Sequence, residues 1–150
     1  MSAIHLLGRV ALISNGHIVL AHEIGAKNTF LPGGHVEYNE TVKNTILREA
    51  REEFDAEVII EGFIGVVEHS FKYHNQPYHE LNLVFSGRLL HHHYPQIPKS
   101  LESHLEFHWQ RIDKLREANL LPPPLLTIIP SYYRDRRNSL WISTMESEKE

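Results

Sequence analysis

The sequence contains no cysteine among its 150 residues. This absence excludes disulfide bonds and thiolate metal sites, and it agrees with a reducing cytoplasm, which is the location that we expect. Long apolar runs are missing too, since no stretch approaches the roughly 18 apolar residues that a membrane-spanning helix needs. Residues 1–7 lack the charged segment and long apolar run of a secretion signal. The sequence therefore predicts a protein that is not embedded in a membrane.

An excess of positive charge is also missing. The chain has 15 Lys and Arg against 19 Asp and Glu, which gives a formal net charge of −4. Proteins that bind long DNA or RNA are usually basic, so a long nucleic acid is not the expected partner. A small polyanion fits this chain if a metal ion or a local group of Lys and Arg offsets the negative charge.

The order of the predicted strands and helices indicates an α/β protein. Asn15-Gly16, a strong hairpin signal, separates two apolar-rich strands at Arg9 to Ser14 and His17 to His22. Apolar residues at helical spacing predict a helix from Glu40 to Phe54. Further strands are predicted at Thr29 to Gly34, Glu57 to Val67, Glu80 to Leu89 and Glu106 to Gln110, and further helices at Ile112 to Asn119 and Leu125 to Arg134. This order predicts one domain, residues 1–150, with a mixed sheet and helices on both faces.

Three glutamates on the predicted helix are close enough to share a ligand. Glu49, Glu52 and Glu53 are spaced i, i+3 and i+4, which places them on one face of the helix. A cation between them relieves their mutual repulsion, and carboxylate oxygens select hard ions such as Mg²⁺ or Mn²⁺. Taken alone, the same spacing also fits a solvated helix face on which Arg48 and Arg51 are the partners.

The segment before this helix fits a site for the same ion. The run Pro32-Gly33-Gly34 lets the backbone approach a ligand closely, and the Gly33 carbonyl is a candidate for a further metal ligand. We expect Glu40 and Arg48 to pair and to hold this loop against the helix, with Glu37 joining the pair. Ions such as Mg²⁺ bind substrate phosphates, so the loop and helix together favour a phosphorylated substrate.

Residues 34–56 resemble the Nudix box, whose pattern is G-x5-E-x7-R-E-U-x-E-E-x-G-U, with U apolar. The matching positions are Gly34, Glu40, Arg48, Glu49, Ala50, Glu52, Glu53 and Ala56. One position departs from the pattern, because Asp55 stands where the family has glycine. That position follows the helix and requires a left-handed backbone, which Asp adopts more readily than most residues, so we expect only a small loss of stability.

The resemblance implies an α/β/α sandwich that hydrolyses the pyrophosphate of a nucleoside diphosphate linked to another group, with Mg²⁺ or Mn²⁺ as cofactor. Candidate substrates are a nucleoside triphosphate, a dinucleoside polyphosphate and a nucleotide sugar. It implies that the box glutamates bind the metal and that the loop is supported by Gly34, Glu37, Glu40 and Arg48. The general base is either Glu49 or a downstream carboxylate, for which Glu106 is the first candidate and Glu102 the second.

Contacts with the nucleotide are less constrained by the sequence. The aromatic candidates for stacking on a base are Phe71, Tyr73, Tyr78 and Trp109, although each also fits ordinary packing. Tyr73 lies 17 residues past the box, where dinucleoside-polyphosphate hydrolases of this family tend to have a tyrosine. Arg9 and Lys27 are candidates for phosphate contacts, and ordinary surface charge explains them equally well.

Three further features leave alternatives open. His91 to His93 is interpreted as a polar turn between strands, with transition-metal binding as the alternative. The apolar segment Leu120 to Tyr133 packs either within the chain or across an interface, and family members are often dimers, so a homodimer is a candidate assembly. A nucleotide sensor without catalysis is the rival function, but such sensors often lose box glutamates and this chain retains all of them.

Overall fold

Six strands and three helices form the described part of the chain, which is residues 3–137, 139–141 and 143–146 of a computed structural model. The strands are β1 (Ile4–Ser14), β2 (His17–Glu23), β3 (Gly33–His35), β4 (Val58–Tyr73), β5 (Gln76–Leu89) and β6 (Leu105–Arg111). The helices are α1 (Val42–Phe54), a 3₁₀ helix (Ile112–Ala118) and α2 (Leu125–Asp135). The strand order is β4–β5–β1–β2–β6, with β3 paired to β1. None of the described helices has both the length and the apolar character needed to cross a membrane.

The sheet is mixed, and strands β1 and β2 diverge from each other along their length. The pairing of β1 with β5 is parallel, whereas the other strand pairings are antiparallel. β1 pairs with β2 at only two positions, Ile13 with Ile18 and Ser14 with His17, next to the predicted hairpin turn. Toward its start β1 leaves β2 and pairs with β3 instead. This divergence opens a gap in the sheet at the end where the box residues lie.

Helices cover both faces of the sheet, so the predicted α/β/α sandwich is confirmed. α1 packs its apolar stripe on one face, and its buried residues in that core are Val42, Ile46, Ala50 and Phe54. The 3₁₀ helix and α2 pack on the other face through Ile112, Leu115, Leu125 and Ile129. Each such large apolar side chain contributes about 1.5–3 kcal/mol when it is fully buried. The buried stripe of α1 therefore fixes the direction in which its acidic face points.

The ends of α1 are defined by capping residues. Thr41 begins the helix, because its Oγ1 accepts a hydrogen bond from the Asn44 N–H at 3.1 Å. Asn39 has a φ of 63°, so the chain turns there and the helix starts at Val42, two residues later than predicted. Asp55 ends the helix with a φ of 46° and a ψ of 45°, and its N–H donates to the Arg51 carbonyl at 3.2 Å. The left-handed backbone predicted at Asp55 is therefore confirmed.

We expect Asp55→Gly to stabilise the protein by up to about 1 kcal/mol, because glycine adopts the left-handed conformation without a steric cost. For a chain of this length the melting temperature should rise by roughly 1–4 °C. Asp55→Ala is the matched control and should lower the melting temperature, since alanine tolerates a positive φ poorly. Thermal unfolding followed by circular dichroism measures both changes, and a lower melting temperature for the glycine variant would contradict this account of the cap.

The strand predicted at Thr29 to Gly34 is wrong. Thr29 and Phe30 make only isolated bridges, to Leu120 and Ala21, and the strand itself is β3, which begins at Gly33. The glycines that suggested a loop allow this pairing. A Cβ at Gly33 would collide with the backbone carbonyl oxygen of Gly8 on β1. The φ of Gly33 is 142°, a value that is strained for any other residue. The backbone can therefore approach β1 more closely than a side chain would permit.

The β4–β5 hairpin is longer than the sequence predicts. Its two strands continue to a tight turn at His74 and Asn75, whose φ values are 49° and 63°. The ends were missed because the outer residues are mostly exposed and lack an alternating apolar pattern. Both faces of β5 are partly buried, since Asn82, Val84 and Ser86 are buried together with Phe85. Helix α2 contacts the face that carries Ser86, where Tyr132 Oη lies 2.7 Å from Ser86 Oγ.

The second half of the chain largely follows the prediction. The structure confirms strand β6, the helical segment that begins at Ile112, and α2, which has Pro130 inside it. The segment from Ile112 is a 3₁₀ helix with a kink at Lys114. His91–His93 lies in the irregular segment between β5 and β6. Near the end of the described chain, Glu146 Oε2 lies 3.2 Å from Lys43 Nζ. Residues 147–150 lie outside the described chain.

Candidate functional site

Arg48 on α1 holds the loop that precedes the helix. Its Nε donates to Glu40 Oε2 at 2.8 Å and its Nη2 donates to Glu40 Oε1 at 3.1 Å, which makes a bidentate ion pair. Nη2 also donates to the His35 carbonyl at 3.2 Å, and Glu37 Oε1 lies 3.9 Å from it. The Arg48 guanidinium, with the Thr45 hydroxyl, holds the pKa of Glu40 down at about 2. The structure thus brings Arg48, Glu40 and Glu37 together.

We expect Glu40→Gln to lower the free energy of unfolding by about 1–3 kcal/mol at neutral pH, the range for hydrogen bonds to charged groups. Because the pKa of Glu40 is depressed in the folded state, Glu40 makes its full contribution to folding stability at pH values above the ordinary pKa of 4.5. This contribution is lost as the pH falls toward about 2. Urea unfolding of both proteins between pH 7 and pH 3 measures this difference, which should shrink in acid. Glu57→Gln, at an exposed position, serves as the control. A difference that stays constant down to pH 3 would count against the ion pair.

Gly34 makes room for the carboxylate of Glu49. A Cβ at Gly34 would lie 2.5 Å from the Glu49 carboxylate carbon, so any side chain there would displace Glu49. Glu49 also accepts a hydrogen bond from Arg48 Nη1 at 3.1 Å. Gly33 lies beside the same carboxylate, along the wall of one cavity of about 410 Å³. The glycine of the box therefore acts on the site through its missing side chain.

Glu53 is a buried acid in the same cavity. Only 8% of its surface is exposed, and within the described residues its Oε2 has no hydrogen-bond partner. Burial, followed by the negative charge of Glu49, raises the pKa of Glu53 to about 8, against the opposing effect of the Arg9 charge. Buried polar atoms are normally paired, so this oxygen is in the state of a ligand atom without its partner.

The pair of Glu49 and Glu53 fits a hard divalent cation. All donor atoms are carboxylate oxygens, with the Gly33 backbone beside them, and such ligands select ions of the Mg²⁺ class. A cation here would offset the repulsion between the two carboxylates and would satisfy Glu53 Oε2. The residues present therefore suit the metal that the sequence predicted.

Glu52 is not brought to the same point. Its carboxylate lies 3.2 Å from Arg48 Nη1, and its side chain is 53% exposed. In the parts of the chain that the structure describes, no three His, Asp or Glu side chains converge as a metal cage. Two of the three predicted carboxylates thus face the cavity, while Glu52 is held outside it by Arg48.

Arg9 lies where this inner cavity joins an outer cavity of about 700 Å³. Its Nη1 donates to the Leu31 carbonyl at 3.0 Å, and its guanidinium carbon lies 5.6 Å from the centre of the Phe30 ring. Burial lowers the pKa of Arg9, against the charges of Glu80, Glu53 and Glu49, in that order. The joined cavities form one cleft, in which Arg9 places a positive charge next to the acidic pair.

Rings on the β4–β5 hairpin line the outer cavity. Phe71 and Tyr78 are stacked with centroids 5.3 Å apart, and His69 stacks on Phe71 at 5.0 Å. His5 of β1 stacks on the ring of Tyr78 at 4.7 Å. Tyr73, which is 52% exposed, lies at the rim with its edge toward Tyr78. Flat ring faces of this kind suit a planar ligand such as a nucleobase.

Two predicted site residues lie away from the cleft. Glu106 is opposite His22 in the β2–β6 register, and its Oε1 lies 2.7 Å from His22 Nδ1. Trp109 donates Nε1 to the Gln96 carbonyl and packs with the core that α1 covers. Trp109 lies outside the cleft because strand alternation points its side chain to the α1 side of the sheet.

Glu102, the second candidate for a downstream acid, is connected to the site. The N–H of Leu101 donates to the backbone carbonyl of Glu53 at 2.7 Å, so the loop before β6 rests on the end of α1. The charge of Glu102 contributes to the raised pKa of Glu53. Glu102, like Glu106, lines a neighbouring cavity and not the cleft, but its loop is hydrogen-bonded to the end of α1 and its charge acts on Glu53.

Several cleft residues were not identified from the sequence. These are Glu23, Phe30, His35, Glu80, Asn82 and His104. Phe30 and His35 flank the glycines of the box, and this position could have indicated them. No comparable signal marks Glu80 and Asn82, because they reach the cleft only through the pairing of β5 with β1.

Comparisons with known proteins agree with this geometry. The sequence profile of the NUDIX domain matches residues 5–132. Among solved structures, a NUDIX hydrolase from Nitrosomonas europaea has a TM-score of 0.72 at 20% identity, covering 97% of this chain and 100% of that one. A MutT protein from Methanosarcina mazei Go1 has a TM-score of 0.67 at 19% identity, over 90% and 96% of the two chains. An ADP-ribose pyrophosphatase from Streptococcus suis 89-1591 has a TM-score of 0.63 at 17% identity, with the same coverage.

A search of curated proteins found no significant match. These three solved structures are less than 25% identical to this chain, so they establish the fold alone. The profile match covers most of the chain and includes the complete box on α1. Together with the sandwich and the acidic pair beside Gly34, this match shows that the chain belongs to the NUDIX domain family, the family of the Nudix hydrolases.

Proposed function

We propose that this protein is a Mg²⁺-dependent pyrophosphohydrolase that cleaves a nucleoside diphosphate linked to another group and releases a nucleotide and a phosphorylated product. The observation that carries the proposal is the unpartnered Oε2 of Glu53, buried next to Glu49 at the inner end of an open cleft. Both the burial and the repulsion are costly for two carboxylates, and a bound cation with a phosphate chain offsets that cost. Mn²⁺ is the alternative ion.

In this proposal Glu49 and Glu53 bind the cation, with the Gly33 carbonyl as a further ligand. A bound Mg²⁺ neutralises charge on the reacting phosphate and lowers the pKa of the attacking water. Arg9 binds the phosphate chain at the junction of the two cavities. Glu52 would have to leave Arg48 before it could hold the cation, so its contribution to turnover should be smaller than that of Glu53.

Glu102 is the proposed general base, and Glu49 is the alternative. Glu102 lies on the loop that is hydrogen-bonded to the end of α1, so its position is tied to that of Glu53. Glu106 is already bound to His22 and would have to break that contact to act. The carboxylate of Glu102 would accept the proton of the attacking water, a role that requires a partly accessible carboxylate near the acidic pair.

The ring-lined outer cavity receives the nucleoside, with Tyr73 at its rim. This orientation directs the phosphate chain past Arg9 toward Glu49 and Glu53. Similarity in fold to an ADP-ribose pyrophosphatase and to a UDP-X diphosphatase supports a nucleoside diphosphate derivative as the substrate class. The cytoplasmic location and the homodimer stay predictions.

A panel of nucleoside triphosphates, dinucleoside polyphosphates and nucleotide sugars, incubated with Mg²⁺, Mn²⁺ or EDTA, tests the proposal. Products identified by mass in ¹⁸O-labelled water show which phosphorus atom receives the water. We expect a nucleotide and a phosphorylated second product with either metal, and no turnover with EDTA. Tight nucleotide binding without any product across the panel would instead support the sensor function.

A further inference from the structure

Two polar side chains that the proposed reaction does not use lie on the floor of the outer cavity. Glu80 and Asn82 are two residues apart on β5, so they point to the same face of the sheet. The strand register places Glu80 between His5 of β1 and His69 of β4. Both polar residues border the cavity of about 700 Å³ that receives the nucleoside in the proposed function.

Asn82 is buried without adequate hydrogen bonding. It is 2% exposed, and its register neighbours Leu7 and Val67 are apolar. Within the described chain its side chain makes one long hydrogen bond, from Nδ2 to the Val67 carbonyl at 3.5 Å. Asn82 borders the outer cavity, and buried polar groups normally find partners, so its amide is suited to a ligand bound there.

Glu80 is an acidic group that makes no ion pair with the described residues. No Lys or Arg nitrogen of these residues lies within ion-pair distance of its carboxylate, and the nearest influence is Arg9, whose pKa the Glu80 charge raises more than any other charge does. The register partners of Glu80 on the neighbouring strands are both histidines, His5 on β1 and His69 on β4. A carboxylate on the wall of this cavity accepts N–H donors from a planar molecule bound there, and it repels phosphate toward Arg9.

We propose that Glu80 and Asn82 select the nucleobase and that guanine is the base they prefer. The inference rests on the proposed function, because that function places the nucleoside in the outer cavity. The Watson–Crick edge of guanine has two adjacent donors, N1–H and the N2 amino group, and one carboxylate accepts both at once. The Asn82 carbonyl adds a further acceptor at the floor.

The other bases match this pair of residues less well. Adenine and cytosine place a ring-nitrogen acceptor next to their amino group, and this acceptor would face the negative carboxylate. Uracil and thymine have a single N–H between two carbonyl acceptors. Hypoxanthine retains N1–H but lacks the N2 amino group, so it separates the effect of that one group from the rest of the base.

Kinetics with GTP and ITP in Mg²⁺ test the selection, because their bases differ only in the N2 amino group. We expect wild-type kcat/KM to favour GTP by about tenfold or more, since the second hydrogen bond goes to a charged acceptor. Glu80→Gln should reduce this preference to about threefold or less, mainly through KM for GTP, with little change for ITP. Glu68→Gln, exposed on the opposite face of β4, is the matched control and should retain the preference.

Calorimetric titration with GMP and IMP gives a second measurement that does not depend on turnover. Asn82→Leu should weaken GMP binding without lowering the melting temperature, because leucine suits the apolar surroundings. If no triphosphate is cleaved but GMP binds more tightly than IMP and Glu80→Gln removes the difference, the base selection stands and the hydrolase proposal fails. Equal kcat/KM for GTP and ITP, or an unchanged preference in Glu80→Gln, would overturn the base selection while hydrolysis stands.

Discussion

Glu53→Gln should reduce kcat/KM by about a thousandfold or more while the protein stays folded. Several kcal/mol of transition-state stabilisation depend on the cation that this carboxylate would bind, and each 1.4 kcal/mol corresponds to about tenfold in rate. Glutamine has the same shape, but its neutral amide is a much poorer ligand for a hard ion. Steady-state kinetics with Mg²⁺ on the preferred substrate, together with the circular dichroism spectrum, measure the two parts of this expectation.

Two further variants make the result specific to the cavity. Glu117→Gln changes an exposed glutamate on the 3₁₀ helix and should leave kcat/KM unchanged. Glu52→Gln should give an intermediate loss, because the Glu52 carboxylate is bound by Arg48 outside the cavity. Near-normal turnover by Glu53→Gln would remove Glu53 from the metal site and with it the main support for the mechanism.

The stability of the metal-free protein should fall as the pH rises, and Mg²⁺ should restore it. Because the pKa of Glu53 is raised to about 8, the folded state holds this proton more tightly than the unfolded chain does. The contribution of Glu53 is therefore complete below the ordinary value of 4.5 and is lost as the pH rises toward about 8. At pH 8, Mg²⁺ at about a hundred times its Kd should add about 2.7 kcal/mol, or roughly 5–10 °C in melting temperature.

Melting curves of the wild type and of Glu53→Gln, in EDTA and in Mg²⁺ at pH 5 and pH 8, test this expectation. The variant has no carboxyl to ionise at this position, so it should melt above the wild type in EDTA at pH 8. Its response to Mg²⁺ should be much smaller. Equal responses of the two proteins to pH and to Mg²⁺ would show that the buried Glu53 carboxylate neither destabilises the metal-free protein when it ionises nor binds the ion.

The helix of the box was predictable because its information is local. Spacing alone placed the three glutamates on one face, and the left-handed backbone at Asp55 follows from residue type. For Glu52 the sequence left two alternatives open, the shared ion and a pair with Arg48, and the structure shows the pair. Only the packed structure shows which of the three glutamates face the cavity.

The positions of the site residues downstream of the box depend on pairings between strands that are distant in the sequence. The choice of Glu106 over Glu102 rested on position in the chain, whereas the β2–β6 register sets Glu106 against His22. Asn82 lies beside Leu7 because β5 pairs in parallel with β1. Contacts of this kind join residues that are more than seventy positions apart, and no local pattern in one sequence encodes them.

The hydrogen bond from the Leu101 N–H to the Glu53 carbonyl makes the loop before β6 and the end of the box helix one mechanical unit. A change in the length of that loop cannot move Glu102 alone, because the anchor at Leu101 transmits the shift to the backbone of Glu53. Substitutions on the far side of this anchor, between residues 91 and 100, should therefore disturb the acidic pair less than changes between residues 101 and 104.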